Sequence, residues 1–180
     1  MNIHPYEFKI IDILVDENKN IVIFPESKAN YLVEVPLGTG RATKMVPTHR
    51  PVPHPIEVTY PFTIEDLASK IEYGFDQWEK HRCYPKSKHF ETEYYGITGF
   101  NNAMKGKRYI HVSYGDDGGF HLSLSIPCKG RTYRYLGIEK GTILPADTPL
   151  TEVAKVVEHY ATAELTEFSS FKTFKRLLNI

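Results

Sequence analysis

The chain has 180 residues, of which 41% are hydrophobic and 24% are charged. Its 22 basic residues balance its 22 acidic residues, so no overall field draws it to nucleic acid or an acidic membrane. A chain of this length can bury its own core, and neither a signal peptide nor an apolar run of membrane-spanning length is recognisable. The two cysteines, Cys83 and Cys128, show no disulfide or zinc spacing. We therefore expect one cytoplasmic domain over residues 1–180, without membrane association.

The N-terminal part predicts two β-hairpins. Residues 8–15 and 21–24 are rich in β-branched side chains and flank a polar turn, which is typical of a hairpin. Apolar and polar residues then alternate over residues 31–46 on both sides of a Gly-Thr-Gly sequence. A three-residue turn at this sequence would place Glu34 opposite Lys44, a favourable pairing of opposite charges.

Between the hairpins and the next sheet, the sequence predicts one clear helix. Residues 47–55 are rich in proline and are expected to be extended, because proline cannot continue a helix. The helix that follows has a single apolar stripe at helical spacing. Its members are Ile64, Leu67, Ala68, Ile71, Phe75 and Trp78. Thr63 is the predicted N-cap. Residues 82–107 are irregular and locally basic, with a short strand predicted at 94–100.

The stretch from Arg108 to Gly137 predicts a three-stranded antiparallel meander with one apolar and one polar face. Placing both apolar sets on the same face fixes the register between the first two strands, with Val112 opposite Leu122. A two-residue turn then leads to the third strand and sets Ser125 opposite Arg134. The apolar face is expected to belong to the core.

The polar face of this meander carries the candidate functional residues. The register places His111 opposite Ser123 and Ser113 opposite His121. The predicted partner-binding residues lie on this face and at its rim: His111, Ser113, Asp116, Asp117, His121, Ser123 and Arg134. Paired His-x-Ser motifs also occur in phosphodiesterases, where the histidines act as general acid and base. A small hydrolase that uses His111 and His121 is therefore an alternative interpretation.

The C-terminal part predicts a second amphipathic helix, with Thr148 as its N-cap and Pro149 as its first residue. Its apolar stripe consists of Leu150, Val153, Val157, Tyr160 and Ala161. A final aromatic helix is predicted over residues 168–178. The elements together predict an α+β fold, an antiparallel sheet of hairpins and a meander packed against two or three helices. Because a helix follows a hairpin in both halves, residues 1–81 and 108–165 are interpreted as a pseudo-repeat.

No spacing in the sequence predicts a metal site, a cofactor site or an activated nucleophile. His111, His121 and Asp117 do not match a recognised ligand pattern, and the Gly-Thr-Gly turn is too short to cradle a phosphate. We therefore expect no metal, no cofactor and no enzymatic activity. The basic residues of the 82–108 segment, interleaved with aromatic ones, suit single-stranded nucleic acid, so a nucleic-acid-binding accessory protein is a second alternative.

A particular order of elements spans residues 61–161. A helix introduced by Pro-Phe-Thr precedes a strand that ends in Tyr-Gly-Asp-Asp-Gly-Gly at 114–119; two more strands follow, and a late helix begins at the Thr-Pro-Leu-Thr of 148–151. This layout resembles immunity proteins of bacterial polymorphic-toxin and contact-dependent growth inhibition systems. The resemblance implies a cytoplasmic protein that binds a cognate toxin domain and occludes its active site. It carries over no catalytic residue, and charge complementarity would select the partner.

Overall fold

The computed structural model describes residues 9–37, 40–51, 54–80, 94–97, 100–103, 105–115, 118–127, 135–137 and 141–168. Their strands are β1 (Ile10–Val15), β2 (Ile21–Leu37), β3 (Gly40–Pro51), β4 (Ile56–Val58), β5 (Arg108–Tyr114), β6 (Gly119–Pro127), β7 (Tyr135–Gly137) and β8 (Thr142–Pro145). Their helices are α1 (Ile64–Lys80), α2 (Phe100–Ala103) and α3 (Leu150–Thr162), followed by a 3₁₀ turn at Leu165–Glu167. Both cysteines lie outside the described residues.

The strands form one open antiparallel sheet, which confirms the predicted α+β class. Their order is β3-β2-β1-β5-β6-β7, while β4 pairs with β2 and β8 pairs with β6. Each half therefore contains a β-hairpin, then two further strands and then a helix. The two halves meet at the central β1–β5 pair. The pseudo-repeat of residues 1–81 and 108–165 stays a prediction, and this shared order of elements supports it.

Helices α1 and α3 cover one face of the sheet and enclose the main core. The central strands contribute Ile11, Ile13, Ile110 and Val112, all of which are completely buried. From the helices come buried residues at the predicted spacing: Leu67, Ala68, Ile71, Phe75, Val153, Ala154, Val157, Tyr160 and Ala161. Each large apolar side chain contributes about 1.5–3 kcal/mol when fully buried, so this face sets the orientation of every strand.

Several predicted details are confirmed. The Thr63 Oγ1 accepts a hydrogen bond of 3.1 Å from the Asp66 backbone N–H, which is the geometry of an N-cap. Val112 lies opposite Leu122, as the requirement for a single apolar face predicts. Gly118 has a φ of 79°, a left-handed conformation that glycine adopts at no steric cost in the β5–β6 loop.

Two strand registers differ from the prediction. Leu37 pairs with Gly40, so the second hairpin has a two-residue connection and Glu34 faces Thr43 rather than Lys44. Two-residue loops match the twist of paired strands best, which favours this shorter turn.

The third strand of the meander is displaced by three residues. Ser125 faces Gly137, not Arg134, and Pro127 faces Tyr135. Pro127 is the last residue of β6 and has no N–H to donate to the ladder. Arg134 itself lies outside the described residues.

Other corrections concern local structure. Tyr94 and Tyr95 are helical, not a strand, because packing of the Tyr94 ring edge-on to Phe24 overrides β propensity. Thr148 does not cap α3: Pro149 is extended with a ψ of 145°, so the helix begins one residue later than predicted. Strand β8 was not foreseen at all. The predicted last helix, residues 168–178, lies outside the described residues apart from the buried Phe168.

In the described part of the chain, no helix combines the length and apolar character needed to cross a membrane.

Candidate functional site

The polar side of β5 and β6 lies on the sheet face opposite α1 and α3. Strand alternation sends the neighbouring apolar residues into the core and leaves His111, Ser113, His121 and Ser123 half-buried on this side. His111 lies opposite Ser123 and Ser113 opposite His121, as predicted. These four residues are called the β5–β6 face below. The structure thus brings together four of the seven predicted partner-binding residues.

The remaining three predicted residues are Asp116, Asp117 and Arg134, which lie outside the described residues. Backbone hydrogen bonds join the two ends of the acidic loop. The Gly115 N–H donates to the Gly119 carbonyl at 2.9 Å, and the Gly118 N–H donates to the Gly115 carbonyl at 3.1 Å. The loop is therefore attached at the end of the β5–β6 face, beside Ser113 and His121.

Asp12 is a site residue that the sequence reasoning missed. It lies on β1 directly opposite His111 and is only 9% exposed. Its Oδ1 accepts a hydrogen bond of 2.6 Å from the Tyr109 hydroxyl and lies 2.8 Å from the His111 Nδ1. Its signal in the sequence is a single acid inside the apolar run of β1. The β1–β5 pairing that gives this acid a partner joins residues 99 positions apart.

The Asp12 carboxylate also fixes the tautomer of His111. An ionised carboxylate only accepts hydrogen bonds, so the His111 Nδ1 must carry the proton in their 2.8 Å contact. In the neutral imidazole the Nε2 then has the lone pair and is the atom that can accept a hydrogen bond from a ligand. The side chain of His111 is 35% exposed, so part of the ring is open to solvent.

The same sheet face is apolar and covered over β1 and β2. Leu14, Val22 and Phe24 form a second small core there, with Tyr95 and Tyr109 packed against it. Tyr109 therefore stands at the boundary: its ring belongs to the covered part, and its hydroxyl binds Asp12. The half-buried polar side chains of this sheet face lie on the other side of Tyr109, on β5 and β6.

Strand β8 adds an apolar residue beside the β5–β6 face. Ile143 lies opposite His121 and is 63% exposed, the highest value among the exposed large hydrophobic residues that the structure describes. Its neighbour Leu144 points the other way and packs on the core. The signal in the sequence is the four-residue Thr-Ile-Leu-Pro run, which is too short and too uneven to predict a strand by its periodicity.

A second polar contact lies at the edge of the covered part. The Tyr94 hydroxyl donates a hydrogen bond to Glu57 on β4. Partial burial, and then the hydrogen bond and negative charge of Glu57, raise the pKa of Tyr94 to about 12. This residue is therefore a neutral phenol at any physiological pH.

The described residues contain no group of three or more His, Cys, Asp or Glu side chains that could hold a metal ion. The β5–β6 face offers imidazole and hydroxyl groups, with the carboxylate of Asp12 and the apolar Ile143 beside them. Such a set can bind a polar surface by hydrogen bonds, and its Asp12–His111 pair has the form of a base and its orienting group.

A scan against protein-family models gives no match, and a search of curated proteins gives none either. Among solved structures, a protein of unknown function from Neisseria meningitidis is similar to this chain, with a TM-score of 0.53. The two are 11% identical, and the similarity covers 91% of this chain and 98% of the other. At this identity the likeness shows the fold alone.

Proposed function

We propose that the chain is a cytoplasmic immunity protein that binds a cognate toxin domain through the β5–β6 face and Ile143, and so occludes the active site of the toxin. The observation that carries the proposal is the pairing of exposed Ile143 with His121 on adjacent strands. Protein interfaces combine an apolar centre with polar groups around it, and this corner of the sheet has that composition.

Rigidity supports the same proposal. The strands that carry the β5–β6 face are held from behind by completely buried residues such as Val112, Leu122 and Leu124. Asp12 fixes the ring of His111 in addition. A partner that binds here has little side-chain freedom to freeze, and the entropy cost of association falls accordingly.

The test starts from the neighbouring gene. The toxin domain encoded immediately upstream is expressed under an inducible promoter, with and without this chain, and growth is followed. We expect growth to be rescued by the wild-type chain and a complex to be measurable by isothermal titration calorimetry. If the chain neither rescues growth nor binds this domain, the immunity proposal fails.

Two matched variants locate the interface. Ile143→Asp places a charge at the proposed centre and should weaken binding by about 30-fold or more, as central interface residues do. Ile97→Asp is the control, because Ile97 is also an exposed isoleucine, at 38%, but does not belong to the β5–β6 face. Equal affinities for the two variants would place the interface elsewhere on the molecule.

A hydrolase is the second candidate function, and the Asp12–His111 contact favours it. A carboxylate that binds Nδ1 leaves Nε2 free to accept a proton from an attacking water. This chemistry needs no enclosed cleft, since a half-exposed imidazole can meet a phosphodiester at the surface. Turnover of bis-p-nitrophenyl phosphate that is lost in His111→Ala, with the fold retained, would favour the hydrolase over the inhibitor.

A further inference from the structure

A cleft of about 400 Å³ lies at the end of the sheet near the C-terminus of α3, away from the β5–β6 face. Its apolar floor is formed by Val15, Ile126 and Ala161, each of which is at most 5% exposed. The β1–β2 turn, the start of β5 and the segment after α3 supply a charged rim. This volume falls within the range of small-molecule sites, and an apolar floor with few polar groups is their usual lining.

Arg108 is fixed at one wall of this cleft. Its Nη1 donates to the carbonyl oxygens of Tyr160 and Ala163 at 2.8 and 2.7 Å. Both N–H groups of that nitrogen are thereby used, and the guanidinium sits at the negative end of the α3 dipole. Within the described part of the chain, the Nε and Nη2 of Arg108 have no acceptor. These two atoms form one flat edge of the guanidinium, the edge that holds a carboxylate by two parallel hydrogen bonds.

The carboxylates near Arg108 have other hydrogen-bond donors. Glu164 and Glu167 bind backbone N–H groups in a capping box around the 3₁₀ turn. Asp16 accepts from the backbone N–H groups of Asn18 and Asn20 at 2.9 Å each. Burial lowers the pKa of Arg108, and the charges of Glu164 and Glu167 raise it in part, so the cation is partly desolvated. A partly desolvated donor edge at the wall of a cleft can bind an oxyanion by charged, paired hydrogen bonds.

The neighbouring lysine is a weaker candidate for the same role. Lys107 Nζ donates to the Ala103 carbonyl at 2.7 Å and lies 4.1 Å from the centroid of the Tyr95 ring. The Lys107 cation is therefore already engaged by the Ala103 carbonyl and the Tyr95 ring. Lys19 and Lys107 also line the cleft, but Arg108 is the basic residue with a flat donor edge that can pair with a carboxylate.

We propose that this cleft binds a small organic monocarboxylate, whose carboxylate pairs with the Nε–Nη2 edge of Arg108 while its hydrocarbon body lies on Val15, Ile126 and Ala161. The rim carries Asp16, Glu17 and Glu164 against Lys19, Lys107 and Arg108, so its charges balance and give a dianion such as phosphate no net attraction. The apolar floor excludes an ion without a hydrocarbon body from the full interaction. This site is independent of the proposed toxin interface.

Titration with hexanoate, followed by ¹H–¹⁵N NMR of the full chain at pH 7 and constant ionic strength, tests the proposal. We expect saturable shifts of the Arg108 Nε–H and of the backbone amides at the end of α3. Hexanamide has the same shape without the charge and should bind at least about ten-fold more weakly, since it cannot make the paired charged contact. Equal binding of hexanamide, or shifts that sodium chloride reproduces, would overturn the proposal.

Variants of the basic residues complete the experiment. Arg108→Lys keeps the positive charge but removes the flat donor edge, so hexanoate affinity should fall by about ten-fold or more. Lys155→Gln is the control, since it removes a charge from the exposed side of α3 outside the cleft. Unchanged hexanoate affinity in Arg108→Lys would also overturn the proposal. If that variant does not fold, the comparison of hexanoate with hexanamide on the wild-type chain decides.

Discussion

Replacing Asp12 by alanine should destabilise the protein more than replacing either of its two partners. The carboxylate is 9% exposed and accepts hydrogen bonds from Tyr109 and His111 through the same oxygen. Its removal takes away the carboxylate that accepts from the hydroxyl of the half-buried Tyr109 and from one nitrogen of His111. Water can reach His111, which is 35% exposed, more easily than it can reach the covered side of Tyr109.

The magnitude follows from these two contacts. A hydrogen bond to a charged group contributes about 1.5–3 kcal/mol, but two bonds that share one oxygen do not add fully. Asp12→Ala should therefore lower the free energy of unfolding by about 2–3 kcal/mol. For a chain of this size that corresponds to a fall of roughly 5–10 °C in Tm. His111→Ala removes one half-exposed partner and should cost about 1 kcal/mol.

Urea unfolding at pH 7, followed by circular dichroism, measures these differences. Asp12→Asn is the matched control: its amide oxygen can still accept from both partners, so it should cost about 1 kcal/mol. The double variant Asp12→Ala/His111→Ala should show a coupling energy of about 1 kcal/mol or more between the two residues. A cost below 0.5 kcal/mol for Asp12→Ala (about the error of such measurements), or additive effects in the double variant, would refute the assigned role of Asp12.

Two further predictions concern the edges of the sheet. Gly119→Ala should lower the free energy of unfolding in urea by about 2–3 kcal/mol, because its Cβ would lie 2.7 Å from the backbone oxygen of Leu144 and push β8 away from β6. Gly106→Ala is the control: Gly106 has a φ of 74° and open space around it, so this variant should cost only about 1 kcal/mol. A larger cost for Gly106→Ala than for Gly119→Ala would contradict the close packing of β6 and β8. In the folded protein the Tyr94 phenol should ionise at its pKa of about 12, whereas in the unfolded chain it ionises near 10.0. The contribution of this difference to stability is therefore complete below pH 10 and is lost as the pH rises towards 12. Difference absorbance at 295 nm between wild type and Tyr94→Phe measures this titration. Glu57→Gln removes the negative charge and should move the titration to lower pH; an unchanged titration in Glu57→Gln would exclude the charge of Glu57 as a cause.

The β5–β6 register could be predicted because one face of these strands must be buried. A shift of one residue would have exposed Ile110 and Val112 together. The same reasoning failed for the third strand, where it assumed the shortest turn. Pro127 ends the ladder there, and the length of the connection after a proline is not set by the alternation of side chains.

Asp12 could not be assigned in the same way, because its partner is set by a contact between the two halves of the chain. Periodicity within β1 predicts only that Asp12 lies on the face away from Ile11 and Ile13. The pairing of β1 with β5, which brings His111 and Tyr109 to that carboxylate, depends on how the two halves meet. Ile143 was missed for a different reason, since β8 owes its extended form to pairing with β6 and not to its own sequence.

The sheet face opposite α1 and α3 consists of two parts. Over β1 and β2, Leu14, Val22 and Phe24 are apolar and are covered by Tyr95 and Tyr109. Over β5 and β6, His111, Ser113, His121 and Ser123 are polar, and the exposed Ile143 lies beside them on β8. Asp12 lies where the two parts meet and contacts His111 on one side and Tyr109 on the other. The β5–β6 face is therefore held in place by the core behind it and by this contact beside it. A surface fixed in this way is suited to recognise one partner of complementary shape, which is the property that an inhibitor of a single toxin requires.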